Sequence, residues 1–142
     1  MNVADHKIFA DSNVVLYLLS QDARKADDAE NVMSRHPVIS VQVLNEVTNV
    51  CRRKLKMSWQ ETGEFVGLIR QLCKVVPVTV EIHEIARIVA ELHQLSFYDA
   101  AIVAAAITSG CSTLYSEDMH NGQVLADSLT IRNPFVSCPL PA

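Results

Sequence analysis

Four acidic residues, which are Asp11, Glu46, Asp99 and Asp118, carry the most chemical information in this sequence. Carboxylates that converge on one cleft repel each other, so they are stable together only with a cation among them or with some of them protonated. Oxygen ligands of this kind favour Mg²⁺ or Mn²⁺ over zinc, and no cluster of histidines and cysteines competes for that role. If the fold brings the four acids together, they predict a site for a divalent metal.

Such a site would support the hydrolysis of phosphodiester bonds. An Mg²⁺ ion held by a few carboxylates keeps several water molecules and accepts phosphate oxygens as its remaining ligands. A metal-bound water molecule can then act as the nucleophile. The chemistry predicted from the acids is therefore metal-dependent hydrolysis of a phosphodiester.

The elements that must position these acids alternate between strands and helices. Short apolar or β-branched segments predict strands at residues 7–10, 38–39, 75–78, 112–115 and 129–131. Helical patterns cover residues 22–34, 41–56, 59–72 and 81–94, and an alanine-rich helix lies within 95–110. This alternation predicts a three-layer α/β domain over residues 1–142, with a central, mostly parallel sheet and helices on both faces.

The predicted sheet gives the acids a common location. Ligands of open parallel sheets bind in the crevice beyond the carboxyl ends of the strands. Asp11 and Asp118 each follow a predicted strand, so they are expected at that edge. Asp99 opens a helix and Glu46 lies early in another, and the first turns of both helices can point into the same crevice.

Each acid also has a purely structural explanation. Ser96 and Asp99 have the spacing of a helix N-terminal capping box. Asp11 can cap the turn that follows its strand. Glu46 on a helix flank and Asp118 in a loop can simply be solvated. These interpretations remain open at the level of single residues, whereas four acids at four element ends favour a site.

Composition limits the possible partners. The chain has 142 residues, of which 49% are hydrophobic and 20% charged, as in a globular protein, and its net charge is −4. A general nucleic-acid binder is usually basic, so any contact with nucleic acid must be local. The candidate RNA-binding residues are the basic cluster Arg52, Arg53, Lys54 and Lys56, although cations at a helix end also complement its dipole.

The sequence favours a cytoplasmic protein without a membrane segment. No apolar run approaches the roughly 20 residues that a membrane-spanning helix needs. The first residues lack the basic and apolar regions of a signal peptide. The four cysteines are widely spaced and include no C-x-x-C pair, which is typical of reduced cysteines.

Four motifs carry a resemblance to a known family. Asp11-Ser12-Asn13 follows an apolar strand, and the three other acids lie in the sequences VLNEV, FYDAA and LYSEDM. In order and placement these motifs resemble those of the PIN-domain nucleases, from Phe9 to Phe135. Similar single-domain proteins are mostly VapC-type toxins of toxin–antitoxin pairs. The resemblance implies a parallel sheet sandwiched by helices and an endoribonuclease that depends on Mg²⁺ or Mn²⁺.

The resemblance also implies roles for individual residues. Asp11, Asp99 and Asp118 match the metal-binding acids of the family. Glu46 matches an acid that helps to hold the metal or its water, which makes these four the predicted catalytic residues. Residues that match supporting positions, or that adjoin a motif acid, are Asn13, Ser116 and Glu117. Glu117 ranks below its neighbour because adjacent residues of an extended segment point to opposite sides.

The partners implied by the resemblance are an RNA substrate, a cognate antitoxin that blocks the site, and a second copy of the chain in a homodimer.

Two other functions remain open from the sequence. One is a PIN-like module that binds RNA or protein without cleaving it, and the other is a HAD-like phosphatase. The phosphatase would need a second acid where the chain has Asn13, and it would need a downstream lysine that is not evident.

Overall fold

A computed structural model describes residues 7–126 and 128–136, which form six strands and six α-helices. Two α-helices follow each of the first three strands, and the last three strands are consecutive. The strands are β1 (Ile8–Ala10), β2 (Val38–Ser40), β3 (Lys74–Val76), β4 (Thr113–Tyr115), β5 (Val124–Leu125) and β6 (Leu129–Arg132). The helices are α1 (Ser12–Leu16), α2 (Ala23–Met33), α3 (Val41–Arg53), α4 (Trp59–Leu72), α5 (Val80–His93) and α6 (Phe97–Thr108), with a 3₁₀ turn at Tyr17–Leu19. The predicted domain range of 1–142 includes residues 1–6, 127 and 137–142, which lie outside this description.

The strands form one sheet in the order β3-β2-β1-β4-β6-β5. All neighbouring strands are parallel except β5, which runs antiparallel to β6. This arrangement confirms the predicted three-layer α/β class with a mostly parallel sheet. Strand β5 was not predicted, because a two-residue strand is too short to show any periodicity.

The register of the sheet decides where the acids lie. Ala10 at the end of β1 pairs with Tyr115 at the end of β4. The residues that follow these two strands therefore leave the sheet at the same edge. The backbone N–H of Asp11 donates to the carbonyl oxygen of Tyr115 at 3.0 Å, which fixes the first acid beside the loop that carries Asp118.

Polar caps define where the helices begin. Ser40 caps α3, and Ser58 forms a complete capping box with Glu61 at the start of α4. Helix α3 was predicted to reach Lys56 but ends at Arg53. Lys56 has a φ of 58°, in the left-handed region, so the chain turns away there towards the next helix.

Helix α6 is the most deeply buried helix. Every residue from Ala100 to Ala106 is buried, as the predicted poly-alanine helix requires. Alanine side chains are small, so α6 packs closely against α5. Gly110 follows with a φ of +77°, which confirms it as the helix stop.

In the part of the chain described here, no helix is both long and apolar enough to cross a membrane.

Candidate active site

Asp11 is the buried centre of the site. Only 4% of it is exposed. One carboxylate oxygen accepts from the backbone N–H of Ser12 at 2.7 Å, which confirms the predicted capping role at α1. The other oxygen accepts from the hydroxyl of Ser116 at 2.9 Å. Ser116 thus contacts the acid, as expected for a supporting residue.

Ser12 joins two of the acids. Its hydroxyl donates to Glu46 Oε1 at 2.8 Å and lies 3.4 Å from Asp11 Oδ1. The second oxygen of Glu46 accepts from the amide of Gln42 at 3.2 Å. Neither Ser12 nor Gln42 was singled out from the sequence. Two signals were available, since Ser12 lies between the motif residues Asp11 and Asn13, and Gln42 precedes Glu46 by one helical turn.

Asp99 has a capping contact that is only half complete. Its backbone N–H donates to the Ser96 hydroxyl at 3.2 Å, so the predicted cap by Ser96 is confirmed. The structure describes both residues. Between them it does not contain the second hydrogen bond of a capping box, which would run from the Ser96 N–H to the Asp99 carboxylate. That bond is present in the Ser58–Glu61 box of α4. The Asp99 carboxylate interacts with the Ser96 side chain, but it does not complete a capping box.

The neighbouring acids Glu117 and Asp118 have different surroundings. Asp118 accepts a hydrogen bond from the side-chain amide of Asn13, which links it to the segment that begins at Asp11. Glu117 accepts from the Tyr17 hydroxyl at 2.6 Å and forms an ion pair with Lys25 at 3.2 Å. Asp118 thus lies beside the segment that carries Asp11. Glu117 instead forms a separate contact, which joins the same loop to α2.

The carboxylates influence each other's protonation. Burial raises the pKa of Asp11 from its ordinary 3.8 to about 6, and the charges of Glu46 and Asp99 add to this effect. Hydrogen bonds from Ser12 and Ser116 work in the opposite direction without cancelling it. Burial is also the main cause of the raised pKa of Asp99. A hydrogen bond with the Ser96 side chain lowers this pKa, while the charges of Asp118 and Glu46 raise it.

This donor set fits a hard divalent cation. The site offers carboxylate oxygens that are partly buried and close to one another. A bound cation would offset both the free energy of burying their charges and the repulsion between them. Within the described residues, no three acidic, histidine or cysteine side chains are arranged for direct coordination of one ion. The carboxylates are turned instead towards hydrogen-bond donors. Mg²⁺ often binds through one or two carboxylates and water, so it does not need three.

The predicted basic cluster divides into two parts. The Arg52 guanidinium lies 4.3 Å from the centre of the Trp59 ring and donates to the Met57 carbonyl oxygen at 2.7 Å. Arg52 is therefore engaged in contacts within the protein. Arg53, Lys54 and Lys56 are exposed at the end of α3.

Two cavities lie next to residues of the candidate site. One has a volume of about 440 Å³ and is lined by Glu46, Tyr98, three amide side chains of α3 and two valines, Val41 and Val78. The other, of about 270 Å³, has mostly apolar walls, and Asn13 and Lys54 are among the residues that line it. Glu46 thus borders the first cavity, whereas Asn13, which donates to Asp118, and Lys54 of the basic cluster border the second.

These features define an α/β domain with an acidic cleft at the carboxyl edge of a mostly parallel sheet. The sequence profile of the PIN domain family matches residues 8–121, and the chain belongs to that family. The predicted resemblance is therefore confirmed. Comparison with curated proteins by sequence gave no match.

Solved structures with the same fold include proteins of toxin–antitoxin systems. A toxin–antitoxin complex from Klebsiella pneumoniae is 15% identical, with a TM-score of 0.68 over 90% of this chain and 97% of that one. VapC20 of Mycobacterium tuberculosis, a toxin that cleaves the sarcin-ricin loop, is 24% identical, with a TM-score of 0.62 over 79% and 90% of the two chains. FitAcB from Neisseria gonorrhoeae is 18% identical, with a TM-score of 0.64 over 90% and 98%. At these identities the similarity is one of fold.

Proposed function

We propose that this chain is an endoribonuclease that depends on Mg²⁺ or Mn²⁺ and serves as the toxin of a toxin–antitoxin pair. The observation that carries the proposal is the hydrogen bonding at this edge of the sheet, where Ser12 joins Asp11 to Glu46 and Asn13 holds Asp118. The charges of Glu46 and Asp118 also raise the pKa of Asp99, in addition to burial. A structural acid at a helix start does not need three other acids near it. Membership of the PIN domain family supports the same interpretation.

In this proposal Asp11, Asp99 and Asp118 would hold the metal directly or through its water molecules, while Glu46 would help to hold the ion or its water. A divalent cation supplies charge neutralisation at the phosphate and lowers the pKa of a water molecule. Ser12 and Gln42 hold the two oxygens of Glu46 by hydrogen bonds, which orients this carboxylate. Ser116 and Asn13 orient Asp11 and Asp118 in the same way. The contribution of these neutral residues is pre-organisation of the charged ones.

RNA and an antitoxin are the partners that the related folds suggest. The similarity to an RNA-cleaving toxin and to a toxin–antitoxin complex supports both. The exposed Arg53, Lys54 and Lys56 would contact phosphates, whereas Arg52 would act indirectly through its contacts with Trp59 and Met57. We further propose that the chain forms one domain over residues 1–142, assembles as a homodimer and is cytoplasmic.

The test is cleavage of a mixed RNA pool by the purified protein with Mg²⁺, with Mn²⁺ and with a chelator. Asp99→Asn is the informative variant, because asparagine retains the polar side chain that suits a helix start and loses the charge. Circular dichroism shows whether the variant folds. We expect cleavage that requires metal and falls by at least about a hundredfold in the variant, since one charged ligand of the site is removed.

The opposite results are equally informative. Full activity of Asp99→Asn would return this residue to helix capping and contradict the proposed site. RNA binding without cleavage by the unmodified chain would instead identify a PIN-fold binding module, the alternative predicted from the sequence. Thermal unfolding with and without Mn²⁺ separates a metal-dependent nuclease from such a binding module, because an ion bound only by the folded protein raises the unfolding midpoint.

A further inference from the structure

The larger cavity beside the acids is a candidate binding site in its own right. Its volume of about 440 Å³ lies within the range of pockets for small organic groups. Glu46 forms part of its wall, and so does Tyr98, the residue before Asp99. Anything bound there would lie next to the proposed catalytic acids.

Helix α3 supplies a row of amide side chains to this cavity. Gln42, Asn45 and Asn49 line it at spacings of three and four residues, so they share one face of the helix with Glu46. The Gln42 amide is used internally, since it donates to Glu46 and to the carbonyl oxygen of Tyr98. Asn45 and Asn49 are exposed, and their side chains have no hydrogen-bond partner among the residues that the structure describes.

Tyr98 forms an aromatic wall of the same cavity. It is 68% exposed, which is unusual for a large ring beside a pocket. Its ring packs edge-on against Phe97 with centroids 5.8 Å apart, and its backbone is held by Gln42 at 3.2 Å. The ring is thus held in place from one side and accessible from the other.

A nucleobase matches these walls. Bases of single-stranded RNA stack on exposed aromatic rings, and their edges present donors and acceptors that a side-chain amide can pair with. We propose that this cavity binds one unpaired base of an RNA substrate, with Tyr98 stacking on the base and Asn45 and Asn49 reading its edge. The inference rests on the proposed nuclease function, and it assigns sequence preference to these three residues.

The position of the cavity suits a base next to the cut. Glu46 belongs both to the cavity wall and to the hydrogen-bonded group around Ser12. Asn13, which donates to Asp118, and Lys54 line the second cavity, where Lys54 can contact the phosphates that continue along the strand. Val41 and Val78 complete the wall of the first cavity and suit the apolar face of a base, whereas an apolar protein side chain would leave both asparagines unpaired.

The experiment compares base preference in matched variants. Cleavage sites in a random single-stranded RNA pool are sequenced for the unmodified protein, for Tyr98→Ala, for Asn45→Ala combined with Asn49→Ala, and for Tyr98→Phe. We expect the first two variants to lose the preference at one position beside the cut and to cleave the preferred sequence on the order of tenfold more slowly. Tyr98→Phe keeps the stacking ring and should retain the preference. Asn31→Ala and Leu92→Ala are controls, because both residues are exposed and line neither cavity.

A second arm separates this inference from the nuclease proposal. Binding of short RNAs that differ at one base is measured in the Asp99→Asn background, where cleavage is not needed. A base preference that disappears with Tyr98→Ala or with the asparagine pair would support the cavity even if the unmodified protein cuts no RNA. Cleavage with an unchanged base preference in these variants would overturn the inference while the nuclease stands, and would assign the cavity to another ligand such as a protein side chain.

Discussion

Asp11 is the residue at which burial and charge conflict most strongly. Its pKa of about 6 lies above the 3.8 of an exposed aspartate, chiefly because the carboxylate is removed from water. A raised pKa in the folded state means that the folded protein binds a proton more tightly than the unfolded chain does. Ionisation of Asp11 therefore opposes folding, in contrast to the usual ion-paired aspartate.

The sign of this effect gives a prediction for the metal-free protein. Between about pH 4 and pH 6 the folded state holds more protons, so the contribution of Asp11 to stability falls as the pH rises through this window. At pH 7, in chelator, we expect Asp11→Asn to raise the free energy of unfolding by about 1–3 kcal/mol, with the gain disappearing near pH 4. Urea unfolding at several pH values measures this. A variant less stable than the unmodified chain at pH 7 would show that the hydrogen bonds to Asp11 outweigh its charge.

Glu117 and Asp118 allow a comparison between adjacent acids. Asp118 is bonded to Asn13, whereas Glu117 contacts Tyr17 and Lys25. We expect Asp118→Asn to reduce the cleavage rate by at least about a hundredfold, as removal of a charged ligand should. Glu117→Gln should lower the thermal midpoint slightly and leave the cleavage rate within severalfold. Rates and unfolding midpoints of both variants are the measurement, and equal loss of activity in the two would place Glu117 in the site as well.

The start of helix α6 contains both the capping residue Ser96 and Asp99, one of the proposed catalytic acids. Ser96 caps the helix, while the Asp99 carboxylate is influenced by Asp118 and Glu46. Ser96 thus caps the helix and also contacts the Asp99 carboxylate, while the charge near the other acids belongs to Asp99.

This division can be tested by changing the cap alone. Ser96→Ala removes the acceptor for the N–H of Asp99 and a hydrogen bond to its carboxylate, so we expect a loss of about 1 kcal/mol in the free energy of unfolding and a much smaller loss of cleavage than in Asp99→Asn. Asp99→Asn should show the reverse pattern, with stability retained and activity abolished. Denaturant unfolding and RNA cleavage, measured on both variants, give the comparison. A large loss of activity in Ser96→Ala would mean that the cap itself positions the acid.

At the scale of the whole molecule, charge is distributed unevenly. The chain has a net charge of −4, yet four of its 12 lysines and arginines lie between positions 52 and 56. No acidic residue lies between Glu46 and Glu61. Lys54 at this basic end of α3 lines the same cavity as Asn13, which donates a hydrogen bond to Asp118. An RNA backbone can thus be attracted to one part of a protein that is acidic elsewhere.

The salt dependence of RNA binding tests this distribution. Replacing Arg53 and Lys54 by alanine should weaken binding to all sequences alike and should reduce the slope of log K against log salt by about 0.7 for each phosphate that is no longer neutralised. Arg87→Ala, on the exposed face of α5, is the matched control. Fluorescence anisotropy with a labelled RNA at several salt concentrations measures the slope. An unchanged slope would show that the basic cluster serves only to complement the α3 dipole.

Local sequence patterns were enough to predict the order of the elements, the parallel sheet and the edge at which Asp11 and Asp118 emerge. Hydrophobic periodicity and capping residues act over a few positions, so the sequence displays them directly. It did not reveal β5, whose two residues have no period, or the end of α3 at Arg53, which depends on a left-handed Lys56.

The contacts between side chains of the site depend on how distant segments fold together. Ser12 contacts Glu46 across 34 positions, and Asn13 contacts Asp118 across 105. The separate surroundings of Glu117 and the cavity between Tyr98 and α3 likewise arise from packing of distant segments. A periodic pattern fixes which face of an element is buried, but the partner of each side chain depends on how the elements pack against one another.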